Sequence, residues 1–222
     1  FTLSDTAGNN WDLHSVQDVK LLMFFATRSD SSRSQLTSFG KYKNIASLPK
    51  LLAMCVDEAP DPSAIRALAS AGAVKFPFLI STPEITGIYN IVFRYLFDRH
   101  RDLGVPTSFL IDGDGMIVKV YQGVVEPEHV AADSRRIPRN SADRQRQGLP
   151  FPGTLHLGSF QRNDFTYGVA FFQRGYLEAA TEAFRQVIAA KPDDAEAHYN
   201  LGTLYLQRND VSTAQIELTK AV

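Results

Sequence analysis

The sequence predicts an α/β domain, a central sheet flanked by helices, followed by an all-α segment of helical-hairpin repeats. Continuous apolar runs of strand length, residues 19–26 (VKLLMFFA) and 51–56 (LLAMCV), read as strands buried on both faces. Strands of that kind require helices above and below them, and segments of helical spacing lie between them. The C-terminal part repeats itself at a period of 34 residues, the length of one helical hairpin.

Composition narrows the function classes. The 222 residues suffice for one or two domains, and 44% hydrophobic with 21% charged is ordinary for a folded chain. A net charge of −1 leaves no field to steer nucleic acid or anionic lipid. The arginines Arg135, Arg136, Arg139, Arg144 and Arg146 cluster, and they read as a solvated linker rather than a binding patch. Cys55 is the single cysteine, so an intrachain disulfide, a CxxC pair and a haem-attachment pattern are all excluded. It reads as an inert core residue. His14, His100, His129, His156 and His198 are scattered, which gives no support to a metal site, and no cofactor is expected. The apolar runs fall far short of the roughly 20 residues of a membrane span. There is no signal-peptide pattern. The chain begins within a strand pattern and ends within a helical one, so it is expected to be a fragment of a longer protein.

Residues 1–13, FTLSDTAGNNWDL, alternate around a Gly-Asn-Asn turn and read as a β-hairpin anchored by Trp11 and Leu13. After the 19–26 strand, residues 29–32 are cap-type, and Gln35, Leu36, Phe39 and Tyr42 continue at helical spacing. A helix starting there favours an anion or a thiolate at its N-terminus. Residues 62–71 read as a short helix with Ile65, Leu68 and Ala69 on one face, and 76–80 as a short strand. Residues 83–103 read as a longer helix with an apolar stripe of Ile88, Val92, Tyr95 and Leu96. Asn90, Arg94, Asp98, Arg99 and Arg101 line its other face. Its aromatics (Tyr89, Phe93, Tyr95, Phe97) exceed one stripe, so they read mainly as core, with part left as contact surface. Residues 104–112 lead into a strand, Asp112-Gly113-Asp114-Gly115 turns, and 116–121 returns antiparallel. The turn lacks the spaced carboxylates and terminal glutamate of a calcium loop. Residues 126–133 read as a closing helix. Residues 137–160 are rich in Pro, Gly and Arg with little periodicity, and the apolar 149–153 is expected to pack against a domain. The expected domains are therefore 1–133, a linker over 134–160, and repeats over 161–194 and 195–222.

Within the repeats, Gly168 matches Gly202, Phe171 matches Tyr205, Ala180 matches Ala214, Phe184 matches Leu218 and Val187 matches Ala221. Pro192 closes the first unit. The pattern resembles the tetratricopeptide repeat, which asks for Leu-Gly in the first helix, an aromatic three residues on, and small residues where two helices cross closely. Leu201, Gly202, Tyr205 and Ala214 meet it. The first copy has Tyr167 for the leucine, and Asp164 and His198 stand where tryptophan is common. Such hairpins cannot bury their apolar faces singly, and about three or more are normally needed. Further repeats, or docking onto the first domain, are expected. The resemblance implies a concave surface for a protein or peptide partner, or else a spacer, and no enzyme activity.

The stretch Phe24-Phe25-Ala26-Thr27-Arg28-Ser29-Asp30-Ser31-Ser32-Arg33-Ser34-Gln35-Leu36 resembles, without a gap, the F-W-A-T-W-C-x-x-C-R-x-E-L segment of the thioredoxin superfamily. The similarity is greatest to TlpA-like redoxins and the alkyl-hydroperoxide-reductase/thiol-specific-antioxidant group, and it covers about residues 1–133. It implies a thioredoxin fold with a central mixed sheet. Val105-Pro106-Thr107 matches the loop whose proline is cis in that family and lies against the active site. The departures fall on the chemistry: Ser29 and Ser32 for both cysteines, Arg28 for the tryptophan, Gln35 for the acidic residue. Thiol–disulfide exchange needs a thiolate, and a peroxidase needs one too, so no catalytic residue is assigned. A serine nucleophile would need an oriented base, and no histidine is near in sequence, although His14 or His100 could approach in space. Double Cys→Ser replacement is also a device for trapping partners, but Arg28 and Gln35 point to a natural redox-dead variant.

The expected function is a redox-inactive thioredoxin-fold plus repeat protein, acting as an interaction or scaffold module. The binding residues implied by the resemblance are Arg28, Ser29, Ser32, Val105, Pro106 and Thr107. The alternatives are a thiol oxidoreductase or peroxidase, if the serines replace native cysteines, and a purely structural cap for the repeats. The pairing of domains also resembles the N-terminal part of large bacterial proteins that continue into FG-GAP and ASPIC/UnbV domains, which implies an extracytoplasmic location.

Overall fold

The computed structural model describes residues 2–13, 18–97, 100–138, 140–148 and 163–222. The chain divides into two compact units, Phe1–Thr86 with Leu103–Gly158, and Gly87–Asp102 with Ser159–Val222.

In the first unit, β1 (Thr2–Ser4) and β2 (Asn10–Asp12) form an antiparallel hairpin. Gly8 takes the positive φ of 87° that the turn requires. Asp5 organises it: its carboxylate accepts from the backbone N–H groups of Ala7 (2.8 Å) and Asn9 (2.9 Å), from Asn9 Nδ2 (3.0 Å) and from Trp11 Nε1 (2.9 Å). The main sheet holds β3 (Lys20–Phe25), β4 (Lys50–Cys55), β5 (Phe78–Ile80), β6 (Thr107–Ile111) and β7 (Ile117–Gln122), in the order β5-β4-β3-β6-β7. β3 runs parallel to β4 and antiparallel to β6, so the sheet is mixed. All of β3 is buried: Leu21–Phe25 form an apolar run that both faces of the sheet cover, and Lys20 at its start is 5% exposed. Leu21, Met23 and Phe25 point to one face. They share a core with Leu36 and Phe39 of α1 (Asp30–Gly40), Ile65 of α2 (Pro62–Ala71) and Val130 of a later helix, Pro127–Ser134. Phe24 points to the other face, where its ring meets that of Phe109 edge-on at 5.5 Å.

The helix expected over 83–103 is α3, Pro83–Leu96, and it is shorter. Ile88, Val92 and Tyr95 of the expected stripe meet the core, joined by Ile91 at 7% exposure, whereas Leu96 is 48% exposed. The buried face is wider than one stripe, and Leu96, in the last turn, falls outside it. Phe93 is buried, while Phe97 is half exposed with its ring 5.1 Å from that of Phe93. After α4, the Pro127–Ser134 helix, the expected linker contains α5, Ser141–Gly148. Its start is set by the Asn140 side chain, which accepts from the Asp143 N–H at 2.9 Å, a capping signal that outweighs the lack of an apolar stripe. The apolar 149–153 lies outside the described residues, as do His14 and His156.

The second unit is helical: α6 (Asp164–Gln173), α7 (Leu177–Ala190), α8 (Ala195–Gln207) and α9 (Val211–Lys220), together with α3 from Gly87 on. The repeat period is visible in the backbone. Gly175 (φ +77°) and Asn209 (φ +60°), equivalent residues, make the left-handed turns between the paired helices. Asp194 and Asp210 cap α8 and α9 through their side chains. His198, at a position where tryptophan is common, is 2% exposed. Its Nε2 donates to the Pro192 carbonyl at 2.9 Å and its Nδ1 lies 2.6 Å from Glu217, so it joins the inter-repeat turn to α9.

Candidate functional site

β3 ends at Phe25, and the chain turns through Ala26–Arg28 into α1 with Ser29 as N-cap. Ser29 Oγ accepts from the Ser32 N–H at 3.2 Å, the ordinary work of a capping serine. Ser32 Oγ accepts from the Ala26 N–H at 3.3 Å. Asp57, just beyond β4, accepts from the Thr27 hydroxyl at 2.6 Å and from the Thr27 N–H at 3.2 Å. Arg33 pairs with Asp30 and donates to the Thr27 carbonyl at 3.0 Å. The loop is thus held from α1, from β4 and by its own backbone.

The Val105–Pro106 bond is cis. β6 pairs with β3 so that Thr107 stands opposite Phe24. Continuing that register brings Val105 and Pro106 alongside the loop that carries Arg28 and Ser29. Thr107 Oγ1 donates to the Gly104 carbonyl at 2.6 Å, and the Pro106 carbonyl accepts from the Gly123 N–H at 2.9 Å. Two residues on, the Val125 N–H donates to Gln35 Oε1 at 2.8 Å. Val124, pinned on both sides, keeps its side chain 49% exposed.

The structure separates the expected binding residues by access. Arg28 is exposed, Ser29 and Val105 are half-buried, and Pro106 is buried. Ser32 and Thr107, at 0% and 2% exposure, shape the surface from beneath. Arg33, Asp57 and Val124 belong to the site and were not singled out from the sequence. A lone valine after a strand, and an aspartate thirty positions from the residue it holds, carry no local signal.

The chemistry open to this arrangement is that of hydrogen bonding. Both serine hydroxyls are engaged with backbone N–H groups. Cys55 is 0% exposed, and burial pushes its thiol up to about 11, which disfavours the thiolate needed for exchange. Gln35, 1% exposed, uses only its oxygen: its Nε2 has no partner among the described residues, nor has the Ser108 hydroxyl. No cluster of metal-ligating side chains occurs among the described residues. No described helix is long and apolar enough to cross a membrane.

The repeat residues take structural places. Gly168 lies against Phe184 and Gly202 against Leu218, where an added Cβ would come within 2.8 Å and 2.7 Å. Ala180 and Ala214 are fully buried at the same crossings. Phe171 and Leu201 are buried, and Tyr167 and Tyr205 pack against the same core. Ile88 and Ile91 of α3 share that core with Ala170 and Phe171 of α6, and the Tyr95 and Tyr167 rings meet at 5.7 Å.

The family model described as TPR repeat matches residues 168–208. A comparison with curated proteins gives no match. Among solved structures, a secreted disulfide oxidoreductase of Mycobacterium tuberculosis is similar at 12% identity, covering 62% of this chain and 96% of its own, with a TM-score of 0.47. A thioredoxin-family thiol:disulfide interchange protein of Chlorobium tepidum is similar at 22% identity over 61% and 90%, TM-score 0.49. StoA of Bacillus subtilis is similar at 17% identity over 60% and 93%, TM-score 0.45. By its strand order, mixed sheet and cis-proline loop, the first unit has the thioredoxin fold, without a CxxC pair, and the helices α6–α9 form tetratricopeptide repeats.

Proposed function

We propose that this chain is a redox-inactive interaction module, in which a thioredoxin-fold surface and tetratricopeptide repeats bind protein partners without thiol chemistry. The observation that carries the reading is the use of the two serines: Ser29 caps α1 and Ser32 holds the Ala26 N–H, so the loop keeps its shape by hydrogen bonds alone. The contact surface is Arg28, Ser29, Val105 and Val124. Arg28 beside a helix N-terminus suits an acidic segment or a C-terminal carboxylate, and an extended peptide can pair with backbone beside Pro106. In this reading 1–133 is the binding domain, 134–160 the linker and 161–222 the repeat array. Two experiments test it. The purified chain should show only background insulin reduction and peroxide consumption, and turnover above background would refute it. An Arg28→Ala, Val124→Asp variant, changed only at exposed positions, should lose partners that the wild type retains in a pull-down. Unchanged partners would remove the surface from consideration.

A capping role for the first domain has one observation in its favour. α3, which lies between β5 and β6 in sequence, supplies Ile88 and Ile91 to the repeat core. In that case Ile88→Asp should destabilise the repeats, read as faster hydrogen exchange in α6. An extracytoplasmic location rests on the resemblance of the domain pairing to large multidomain bacterial proteins, and fractionation of the native host would test it.

A further inference from the structure

We propose that the cleft between α3 and α6 is a binding site for a small monocarboxylic acid with an apolar body, its carboxylate held by Arg174. The cleft has a volume of about 200 Å³, and every residue lining it belongs to the second unit. One part of the lining is apolar: Gly87, Ile91 and Tyr95, which share a face of α3, and Ala170 of α6. The polar part is Asn90 and Arg94 of α3, with Gln173 and Arg174 at the end of α6. Small residues open the space. Gly87 lies so near the Tyr176 side chain that an added Cβ would run into its hydroxyl. Ala170 stands where the second repeat has Leu204, which is 0% exposed.

The internal repeat shows what an arginine at this place takes. Arg174 is the C-cap of α6, and Arg208, one period on, is the C-cap of α8. Arg208 lies 3.6 Å from the carboxylate of Glu178, on α7, the helix packed before α8. Against α6 that place is taken by α3, whose Ile88, Ile91 and Tyr95 meet Ala170, Phe171 and Tyr167. The α3 residues that line the cleft include no carboxylate. Arg174 has no ion pair among the described residues. The partner that the chain supplies to Arg208 is therefore left to a ligand at Arg174.

Charge and size narrow the ligand. On the α3 side the chain brings its own carboxylate: Asp102 Oδ1 accepts from Asn90 Nδ2 at 2.9 Å and lies 3.5 Å from Arg94 Nη1. Arg94, Arg174 and Asp102 together leave one positive charge, which a single carboxylate neutralises. A guanidinium fork holds a carboxylate through two parallel hydrogen bonds. The end of α6 does not oppose an anion. The Phe171 carbonyl accepts from the N–H groups of Arg174 and Tyr176, and the Phe172 carbonyl from that of Gly175, so both are used within the turn. Pockets for drug-sized ligands run to about 300–1,000 Å³, and this smaller space suits a small acid whose body lies on Ile91 and Ala170. The proposal is independent of the surface around Arg28.

The test uses the full 222-residue chain, isotope-labelled for amide NMR spectra and titrated with benzoate. Saturable shifts are expected at residues 87–95 and 170–176, with a Kd on the order of 1 mM, the scale for a ligand of so few atoms. Benzamide has the same shape without the charge and should bind at least about tenfold more weakly, the scale of one charge-assisted contact. Arg174→Gln should weaken benzoate by the same factor. Arg208→Gln, the same change at the equivalent position, should leave it unaltered. Arg174 is exposed at a helix end, so the Arg174→Gln fold should survive, as an unchanged circular dichroism spectrum would verify. Absence of saturable shifts at these residues, equal binding of benzamide, or equal binding by the Arg174→Gln chain overturns the proposal. So does tighter binding of acetyl-glutamate-amide than of benzoate, which would assign the cleft to the side chain of an acidic peptide.

Discussion

Gly168→Ala and Gly202→Ala are one chemical change at two equivalent positions, and they should have different outcomes. Each gains about 1 kcal/mol of helix propensity from replacing glycine. Each also places a Cβ too close to a neighbour. At Gly168 the new atom would lie 2.8 Å from Cε1 and 3.0 Å from Cζ of Phe184. That ring is 0% exposed and is held edge-on by Phe165 at 5.7 Å, so it has nowhere to move. At Gly202 the contacts are Leu218 Cγ and Cδ2, at 2.7 Å and 2.8 Å, with the Ala214 carbonyl at 3.3 Å. Leu218 is half-buried and borders a surface groove, so it can rotate outward. Overpacking of a closed site costs about 1–3 kcal/mol. The net expectation is a loss of about 1–2 kcal/mol for Gly168→Ala and a change within about 0.5 kcal/mol for Gly202→Ala. Urea unfolding followed by far-ultraviolet circular dichroism measures the difference. Amide exchange in α6–α9 assigns it to the repeats, since two units need not unfold together. Equal losses at the two sites, or a Gly168→Ala chain as stable as wild type, would refute the reasoning from the helix crossings.

Asp57→Ala leaves the Thr27 N–H and hydroxyl without their acceptor, and should cost about 1–3 kcal/mol in urea unfolding with faster exchange of the Thr27 amide. Gln35→Glu keeps the acceptor for the Val125 N–H, but burial pushes such a carboxyl above the usual value of about 4.3. A folded-state pKa above the unfolded one gives full stability below about pH 4.3 and a loss as pH rises through the folded value. The variant should match wild type best near pH 4 and be weaker by about 1–3 kcal/mol near pH 8, and a flat difference across that range would refute it. Asp5 behaves in the opposite sense. Burial raises its pKa, but the hydrogen bonds from Trp11, Asn9 and Ala7 outweigh that and lower it from 3.8 to about 2. Its contribution is present above about pH 4 and lost as pH falls toward 2, so Asp5→Asn should flatten the acid limb by about 1–2 kcal/mol. In Glu217, burial is likewise outweighed by the hydrogen bonds of His198 and Lys220, which lower its pKa and add acid lability of the same sign to the repeats.

The features legible in the sequence are those with a local pattern. The unbroken run of β3, the capping serine of α1 and the small residues at the repeat crossings each announce themselves within a few positions. The stripe of α3 was legible as Ile88, Val92 and Tyr95, but amphipathicity does not name the partner, and neither the burial of Ile91 nor the exposure of Leu96 follows from spacing alone. α5 was missed because its polar composition hid a start set by one side chain, Asn140. In the candidate site the frame of residues 24–36 was readable. The clamp from Asp57 and the exposure of Val124 were not, because each depends on a contact between segments far apart in sequence.

The allocation of α3 has a consequence for how this chain can be divided. Ile88, Ile91, Val92 and Tyr95 of α3 belong to the repeat core, yet α3 is spliced between β5 and β6 of the thioredoxin fold. Neither half is a contiguous piece of sequence, so no single cut yields both intact. A chain stopped before α6 would carry Ile88 and Ile91 uncovered, and one begun at α6 would leave Phe171 without its lid. A cut between α5 and α6 would leave α3 on the first fragment, dividing the repeat core while every strand of the thioredoxin sheet stayed on one piece.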